Sequence, residues 1–224
     1  MNKNLIEKTA EYVKLKLYNE PTGHDWYHVE RVWKIAKFLQ ATEGGNSEII
    51  ELSALLHDLG DYQQREFNEI KGSLILRGMM DILGIAPDMQ EIIIKVVEES
   101  QYQASETKTP TTLEGKIIQD ADWLDAIGAI GLSRTFATGG RIKRIIHDPK
   151  RKPRRKISKE DYQTKKREGT SINQIYEKIF RLPNMMNTAT AKKIAESRID
   201  FVEKFTEQFF LEWEGLDLKN KILI

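Results

Sequence analysis

Residues 113–131, LEGKIIQDADWLDAIGAIG, combine an apolar helical pattern with three carboxylates. Asp120, Asp122 and Asp125 stand among isoleucine, alanine, leucine, tryptophan and glycine side chains. Carboxylates in so apolar a helix lose hydration and repel one another unless a cation or another partner binds at least one of them. The stretch therefore predicts a buried helix that contributes acidic groups to a polar site.

Helical periodicity continues over most of the chain, and the alternation typical of strands is nearly absent. Polar residues 102–112 interrupt the pattern and are predicted to form a loop. We therefore predict an all-α fold. The predicted helices cover about 3–18, 26–44, 47–60, 68–83, 88–101, 112–138, 170–181 and 187–213.

Composition indicates one domain over residues 1–224, with 35 basic and 34 acidic residues and no cysteine. Disulfide scaffolds, thiolate metal sites and cysteine nucleophiles are thereby excluded. The sequence also lacks a run of about 18 apolar residues and an N-terminal apolar signal segment, so we expect a cytoplasmic protein with no membrane partner.

Residues 141–168, which we call the basic segment, contain thirteen lysine or arginine residues against four acidic ones, a local formal charge of +9. The net charge of the whole chain is only +1, so the remainder is acidic. Two interpretations remain open. The segment is either a flap that closes over or steers an anionic substrate, or a solvated insertion.

The histidines add candidate ligands. His24 and His28 lie four residues apart at a helix start, and the dipeptide His57-Asp58 ends the apolar run LSALLHDLGD. His147, in the basic segment, is interpreted as a surface residue. Considered alone, His28 could be an ordinary packed or surface histidine. Likewise, any one of the three aspartates could simply cap a helix or pair with an arginine. Together, two imidazoles and two carboxylates from three helices indicate a site for Mn, Fe, Co, Ni, Zn or Mg.

These motifs resemble the HD-domain superfamily of metal-dependent phosphohydrolases, whose signature is His…His-Asp…Asp on a helical bundle. The resemblance covers nearly the full chain and is strongest to a bacterial branch similar to nucleotide pyrophosphohydrolases. It is carried by GHDWYHVERV (23–32), ALLHDLGD (54–61), LEGKIIQDADWLDAIGAIGLSRTF (113–136), SINQIYEKIFRLPNMMNTATAKKIAESR (171–198) and FTEQFFLEWEG (205–215).

The resemblance implies that His28, His57, Asp58 and Asp122 hold one divalent metal ion. Asp122 matches the last ligand because it follows alanine in an Ala-Asp-x-Leu segment, and Asp120 is its rival. The two carboxylates are about 200° apart around a helix, so both cannot easily face one ion. We favour Mn over Mg, because imidazole ligands suit transition ions better.

The chain departs from the branch pattern at three places. Trp123 replaces an arginine, Gln63 or Gln64 stands where a lysine is usual, and Gln174 replaces a histidine. If these basic groups normally hold phosphate, this chain has lost some of them, and the basic segment is a candidate replacement.

The implied reaction is hydrolysis of a phosphate ester or anhydride by a metal-activated water. Asp61 and Glu69 are the candidate carboxylates that orient or deprotonate this water. Candidate phosphate-binding groups are His24, Arg31, Lys71 and Arg134. We expect Asp125 to accept a hydrogen bond from a ligand imidazole and so to fix its tautomer. Asp120, if it is not itself a ligand, is also expected to contact the ligands rather than the metal ion.

The resemblance also implies a nucleotide substrate, either a nucleoside triphosphate cleaved to monophosphate and pyrophosphate or a monophosphate that loses phosphate. Trp26, Tyr27, Tyr62 and Trp123 could stack on a base, although aromatic residues at helical spacing more often form core. The alternatives are an HD-like module that senses a nucleotide with weak or no catalysis, and a basic segment that binds nucleic acid. Nucleic acid is not expected, because Tyr162 is the only aromatic residue in that segment.

Overall fold

The computed structural model describes residues 2–21, 23–59, 72–165 and 167–218, and this part of the chain is helical without any strand. The all-α prediction is confirmed. The α-helices are α1 (Lys3–Leu17), α2 (Trp26–Glu43), α3 (Ser47–Leu56), α4 (Gly72–Leu83), α5 (Pro87–Ser100), α6 (Leu113–Asp125), α7 (Gly128–Arg141), α8 (Lys159–Thr164), α9 (Ser171–Glu177), α10 (Leu182–Met185) and α11 (Ala189–Trp213). Short 3₁₀ turns cover Ala104–Glu106, Ile179–Arg181 and Leu216–Leu218.

Most helices begin where a short polar side chain accepts a hydrogen bond from the backbone N–H groups of the first turn, which have no partner within the helix. α2 ends at Gly44, whose φ of +88° suits glycine and whose N–H donates to the carbonyl of Gln40. The capping residues are Asn2, Asp25, Asn46, Thr112, Ser158, Thr170 and Thr188.

The predicted helix over 112–138 is wrong in one respect, because the structure divides it into α6 and α7. Gly128 has a φ of +74° and Ile127 is extended, so the helix cannot continue through these residues. α7 then turns back tightly: a Cβ at Gly131 would overlap the carbonyl oxygen of Ala126. The predicted helix over 170–181 is likewise shorter, since α9 gives way to a 3₁₀ turn after Glu177.

The core consists of two hydrophobic clusters that share helices α2 and α3. One contains Val29, Leu55 and residues of α1, α4 and α5, and the other contains Ala36, Ile118 and residues of α9 and α11. α2 packs against both α3 and α6, so these three helices form the centre of the molecule. None of the described helices combines the length and apolar character that crossing a bilayer requires.

The basic segment is attached to the rest of the protein at several described residues. Ile157 is buried, its carbonyl accepts from the N–H of Ser105 at 3.1 Å, and its N–H donates to the Ser105 hydroxyl at 3.0 Å. Arg154 forms an ion pair of 2.8 Å with the buried carboxylate of Glu177. A wholly solvated insertion does not have such contacts, whereas the role of the segment as a flap or steering surface stays a prediction.

His147 is more buried than the sequence predicts. Its ring packs edge-on against the aromatic rings of Phe210 and Trp213 on α11, at centroid distances of 5.3 and 4.8 Å. The sequence of the basic segment gives no sign of this contact, because the aromatic residues lie more than sixty positions further along the chain.

Candidate metal centre

Three helices bring four predicted ligands together. His28 lies in the first turn of α2, His57 and Asp58 follow the last turn of α3, and Asp122 lies near the end of α6. Because α2 packs against both α3 and α6, the ends of these helices meet. We call these four residues the four-residue cluster.

The Nε2 atom of His28 lies at the centre of the four-residue cluster. It is 3.2 Å from Nε2 of His57, 3.2 Å from Oδ2 of Asp58 and 3.5 Å from Oδ1 of Asp122. Neighbouring donor atoms bound to one ion at about 2.1 Å are separated by about 3 Å when they subtend a right angle. The spacing of the cluster therefore suits a single ion of that size.

The tautomers of the two histidines support a cation at this position. Nδ1 of His28 lies 2.8 Å from Oδ2 of Asp125, and Nδ1 of His57 lies 2.8 Å from the carbonyl oxygen of Ala54. These partners only accept hydrogen bonds, so Nδ1 donates in each ring, and in a neutral ring Nε2 is left with a lone pair. Two such lone pairs then face each other beside two carboxylates, an arrangement that repels unless a metal ion binds there or one of the rings takes up a proton.

His24, predicted as a phosphate-binding residue, lies at the edge of the cluster. α2 begins only at Trp26, yet Nδ1 of His24 reaches Oδ2 of Asp58 at 2.7 Å. His24, His28 and Asp58 therefore form a second group with the geometry of metal ligands, overlapping the group of His28, His57 and Asp122. The His24–His28 spacing was the only sequence signal for this contact.

Burial and neighbouring charges have opposite effects on the pKa values of Asp58 and His24. Burial would raise the pKa of Asp58, but the neighbouring imidazoles of His24 and His57 hold this pKa well below its ordinary value. Burial lowers the pKa of His24, and the attraction of Asp58 only partly offsets this effect. The side chains of His24 and Asp122 are 30% and 27% exposed while His28 is fully buried, so the cluster opens to solvent beside those two residues.

Asp125 lies behind the cluster and is almost completely buried. Besides the contact with His28, it accepts from Nε of Arg31 at 2.6 Å, from Nη2 of Arg31 at 3.0 Å and from Nη1 of Arg134 at 3.1 Å. Burial alone would raise the pKa of Asp125, but the donors of His28 and Arg31 hold it far below its ordinary value. This position is the one expected of a residue that fixes the His28 tautomer.

The two predicted phosphate-binding arginines are thus engaged with Asp125. Arg134 additionally donates through Nε to the carbonyl oxygen of Gly23 at 2.7 Å, which holds the segment just before His24. Both guanidinium groups lie next to the cluster. The remaining predicted residues, Asp61, Glu69 and Lys71, lie outside the described part of the chain.

Asp120 is not brought into the cluster. Its two oxygens accept from the N–H and side-chain amide of Asn187 and from the N–H and hydroxyl of Thr188, at 2.8–2.9 Å. These groups form the start of α11, so Asp120 holds that helix against α6.

The fully buried indole of Trp123 and the buried Trp26 belong to the core, while Tyr27 is exposed and Tyr62 lies outside the described residues.

Comparison with known proteins identifies the family. The family model of the HD domain matches residues 25–127, which contain the whole four-residue cluster. An HD-superfamily hydrolase of known structure from Bacillus thuringiensis is 38% identical, covers 96% of this chain and 99% of its own, and superposes with a TM-score of 0.70. The chain belongs to the HD superfamily. The resemblance drawn from the sequence is thereby confirmed at the level of this superfamily.

Two other relatives extend the comparison. A protein of known structure from Lactobacillus plantarum is 31% identical, covers 96% of this chain and 99% of its own, and has a TM-score of 0.85. The uncharacterised protein YpgQ of Bacillus subtilis is 29% identical over 216 residues, 96% of each chain. Its crystal structure in complex with ADP covers 91% of this chain and 95% of its own, at 26% identity and a TM-score of 0.68.

Proposed function

We propose that this protein is a metal-dependent phosphohydrolase that cleaves a phosphate ester or anhydride of a nucleotide. The observation that carries the proposal is the pair of Nε2 atoms of His28 and His57, 3.2 Å apart and flanked by the carboxylates of Asp58 and Asp122. In a hydrolase superfamily, such a set of donors at a solvent-accessible edge supports a catalytic role for the bound ion.

His28, His57, Asp58 and Asp122 would hold one divalent ion, with Mn favoured and Mg as the runner-up. When bound, the ion supplies Lewis acidity that lowers the pKa of water and polarises a phosphoryl oxygen. The protein contributes orientation: Asp125 holds the ring of His28 and the carbonyl of Ala54 holds the ring of His57. Ligands fixed in this way need little rearrangement when the ion binds.

The nucleotide is proposed because the relative YpgQ was crystallised with ADP. Both candidate reactions, release of pyrophosphate from a triphosphate and release of phosphate from a monophosphate, are compatible with the cluster. His24 is placed at the open edge, where it could contact a phosphate group, and Arg31 and Arg134 contribute positive charge behind the cluster. Asp61 and Glu69 remain the proposed carboxylates for orienting water, and Lys71 a proposed phosphate-binding residue.

The test is release of phosphate and pyrophosphate from a panel of nucleoside mono- and triphosphates, with Mn or Mg and after treatment with EDTA. We expect turnover to require the ion and to be lost in the double variant His57→Ala/Asp58→Ala together with the bound metal. His147→Ala is the matched control, since His147 packs on α11 away from the cluster. Full turnover in EDTA contradicts the proposal, and nucleotide binding without turnover would favour a sensing module.

A further inference from the structure

A cavity of about 420 Å³ lies on a different face of α6 from the four-residue cluster. Lys116, Gln119 and Trp123 line it from α6, whereas Asp122 and Asp125 on the same helix face the cluster. A volume of this size accommodates a small organic ligand. Residues 107–109 and 184–187 form its other walls.

One buried amide joins the three walls of this cavity. Nε2 of Gln119 donates to the carbonyl oxygen of Lys108 at 3.2 Å, and Oε1 of Gln119 accepts from Nδ2 of Asn187 at 3.0 Å. Asn187 is in turn bonded to Asp120 on α6. The loop at 107–109, α6 and residues 184–187 are therefore held in fixed positions before any ligand binds, which lowers the entropic cost of binding.

The lining is positively charged. It contains Lys108 and Lys116 and no acidic residue, and neither lysine forms an ion pair with any residue in the described part of the chain. The basic segment packs beside the same loop, because Ile157 pairs with Ser105 and the N–H of Lys159 donates to Glu106 at 2.9 Å. The two lysines of the lining thus favour an anion.

The indole of Trp123 lines the cavity from within the core. Its side chain is 1% exposed, and its indole N–H has no acceptor among the described residues. The sulfur and methylene groups of Met185 and Met186 add an adaptable apolar surface next to the two lysines.

We propose that this cavity binds a phosphorylated small molecule, at a site separate from the four-residue cluster. Lys108 and Lys116 bind its phosphate group, and Met185 and Met186 contact its organic part. The proposal rests on the lining of the cavity and stands independently of the proposed hydrolysis.

The experiment is titration calorimetry with inorganic pyrophosphate and with AMP, in EDTA, on the variant His57→Ala/Asp58→Ala. This background removes the metal-dependent site, so we expect one equivalent of AMP to bind still. Adding Lys108→Gln/Lys116→Gln should weaken that binding at least tenfold. The charge-matched control Lys3→Gln/Lys34→Gln, on α1 and α2, should leave it unchanged.

Two further arms sharpen the result. Trp123→Phe keeps an aromatic ring and removes a buried N–H that a ligand in the cavity does not reach, so it should leave AMP binding unchanged in a folded variant. Pyrophosphate that binds as tightly as AMP would contradict the proposed contact of Met185 and Met186 with the organic part of the ligand. Absence of binding for both compounds, or binding that is indifferent to the lysine changes in a folded variant, overturns the proposal. Loss of hydrolysis in His57→Ala/Asp58→Ala tests the four-residue cluster and gives no information about the cavity.

Discussion

One ring nitrogen of His28 is hydrogen-bonded to Asp125, and the other faces Asp122 and the rest of the four-residue cluster. The chemistry of the centre therefore depends on the separate roles of the aspartates of α6. The three aspartates of that helix have three environments. Asp122 faces the cluster, Asp125 lies behind it, and Asp120 points to the start of α11. Substitutions of single residues therefore separate their roles.

Asp122→Ala should lose the metal ion and the activity, because it removes a ligand. Asp120→Ala should keep the ion but lower the free energy of unfolding by about 1–3 kcal/mol, since it leaves donors of Asn187 and Thr188 unsatisfied. Elemental analysis of the purified variants and urea unfolding measure the two effects. The reverse ranking in metal content would assign Asp120 as the ligand.

Asp125→Asn should weaken metal affinity by about 10–100-fold, because an amide holds the His28 ring less firmly and no longer balances the charges of Arg31 and Arg134. Competition with a chelator of known affinity measures this change. Asp200→Asn, on the exposed face of α11, is the control and should bind the ion like the wild type. Equal affinities for both variants would contradict a positioning role for Asp125.

At this scale the sequence was informative where a polar residue stood in an apolar context. For that reason the dipeptide His57-Asp58 and the aspartates of α6 were predicted to be polar site residues, whereas the choice of Asp122 among the aspartates came from the resemblance to the HD superfamily. The contacts of His24 with Asp58 and of Arg31 with Asp125 could not be predicted, because they depend on how helices far apart in sequence pack. The acceptor for Nδ1 of His57 is a backbone carbonyl, which any residue at position 54 would provide.

Among the elements, the turn between α6 and α7 fixes where Asp125 and Arg134 meet. Gly131→Ala places a methyl group against the carbonyl of Ala126 and should cost about 1–3 kcal/mol of unfolding free energy. Gly78→Ala in α4 is the matched control: no atom lies within 4 Å of its added Cβ, and alanine should stabilise the helix by about 1 kcal/mol. Chemical denaturation of both variants gives the comparison, and equal stabilities would contradict the close approach.

The junction of α2 and α11 should give a pH-dependent contribution to stability. Hydrogen bonds from the side chain and the backbone N–H of Thr190 lower the pKa of Glu43 below its ordinary value. A carboxylate whose pKa is lowered on folding stabilises the protein above its unfolded pKa of about 4.3, and this contribution is lost as the pH falls through the folded pKa.

Glu43→Gln should accordingly lower Tm at pH 7, and the difference from wild type should narrow as the pH drops below about 4. Thermal unfolding at a series of pH values measures it. Glu30→Gln, on the same helix, serves as the control. A difference in Tm that stays constant with pH would show that Glu43 acts through packing rather than charge.

Helix positions were largely predictable because capping residues and the 3.6-residue period are local signals. The break between α6 and α7 was not, since a single Gly128 in an apolar run is also tolerated within a helix. Its positive φ is set by the packing of α7 against α11, including Arg198, which lies next to Gly128 and donates to the carbonyl of Leu124.

For the whole molecule, the charge of the basic segment should influence the encounter with an anionic substrate. Lys152, Arg155 and Lys156 are exposed, in contrast to Arg154, which is bonded to Glu177. Replacing the three with glutamine should lower kcat/KM for the best nucleotide at low salt and leave kcat unchanged. The effect should vanish at high salt, because added ions screen charges beyond about 8 Å at physiological ionic strength and closer above it.

The control variant replaces Lys3, Lys34 and Lys204 with glutamine. These lysines are also exposed, so the control removes the same charge from surfaces outside the basic segment. Steady-state kinetics over a range of salt concentrations distinguish the two variants. If both variants behave alike, the position of the basic segment has no special effect on the substrate, and its charge acts only through the total charge of the protein.

The wide separation of the proposed ligands along the chain sets the stage of folding at which an ion can bind. His28 and Asp122 lie more than ninety residues apart, so the donor atoms meet only after α2, α3 and α6 have packed. In the folded protein the packing of these helices has already closed that loop, so an ion that binds the assembled set does not bear the entropic cost of closure. During synthesis on the ribosome, the chain therefore cannot assemble the full set of proposed ligands until α6 has emerged, and we expect an ion to bind late, to molecules that have already folded.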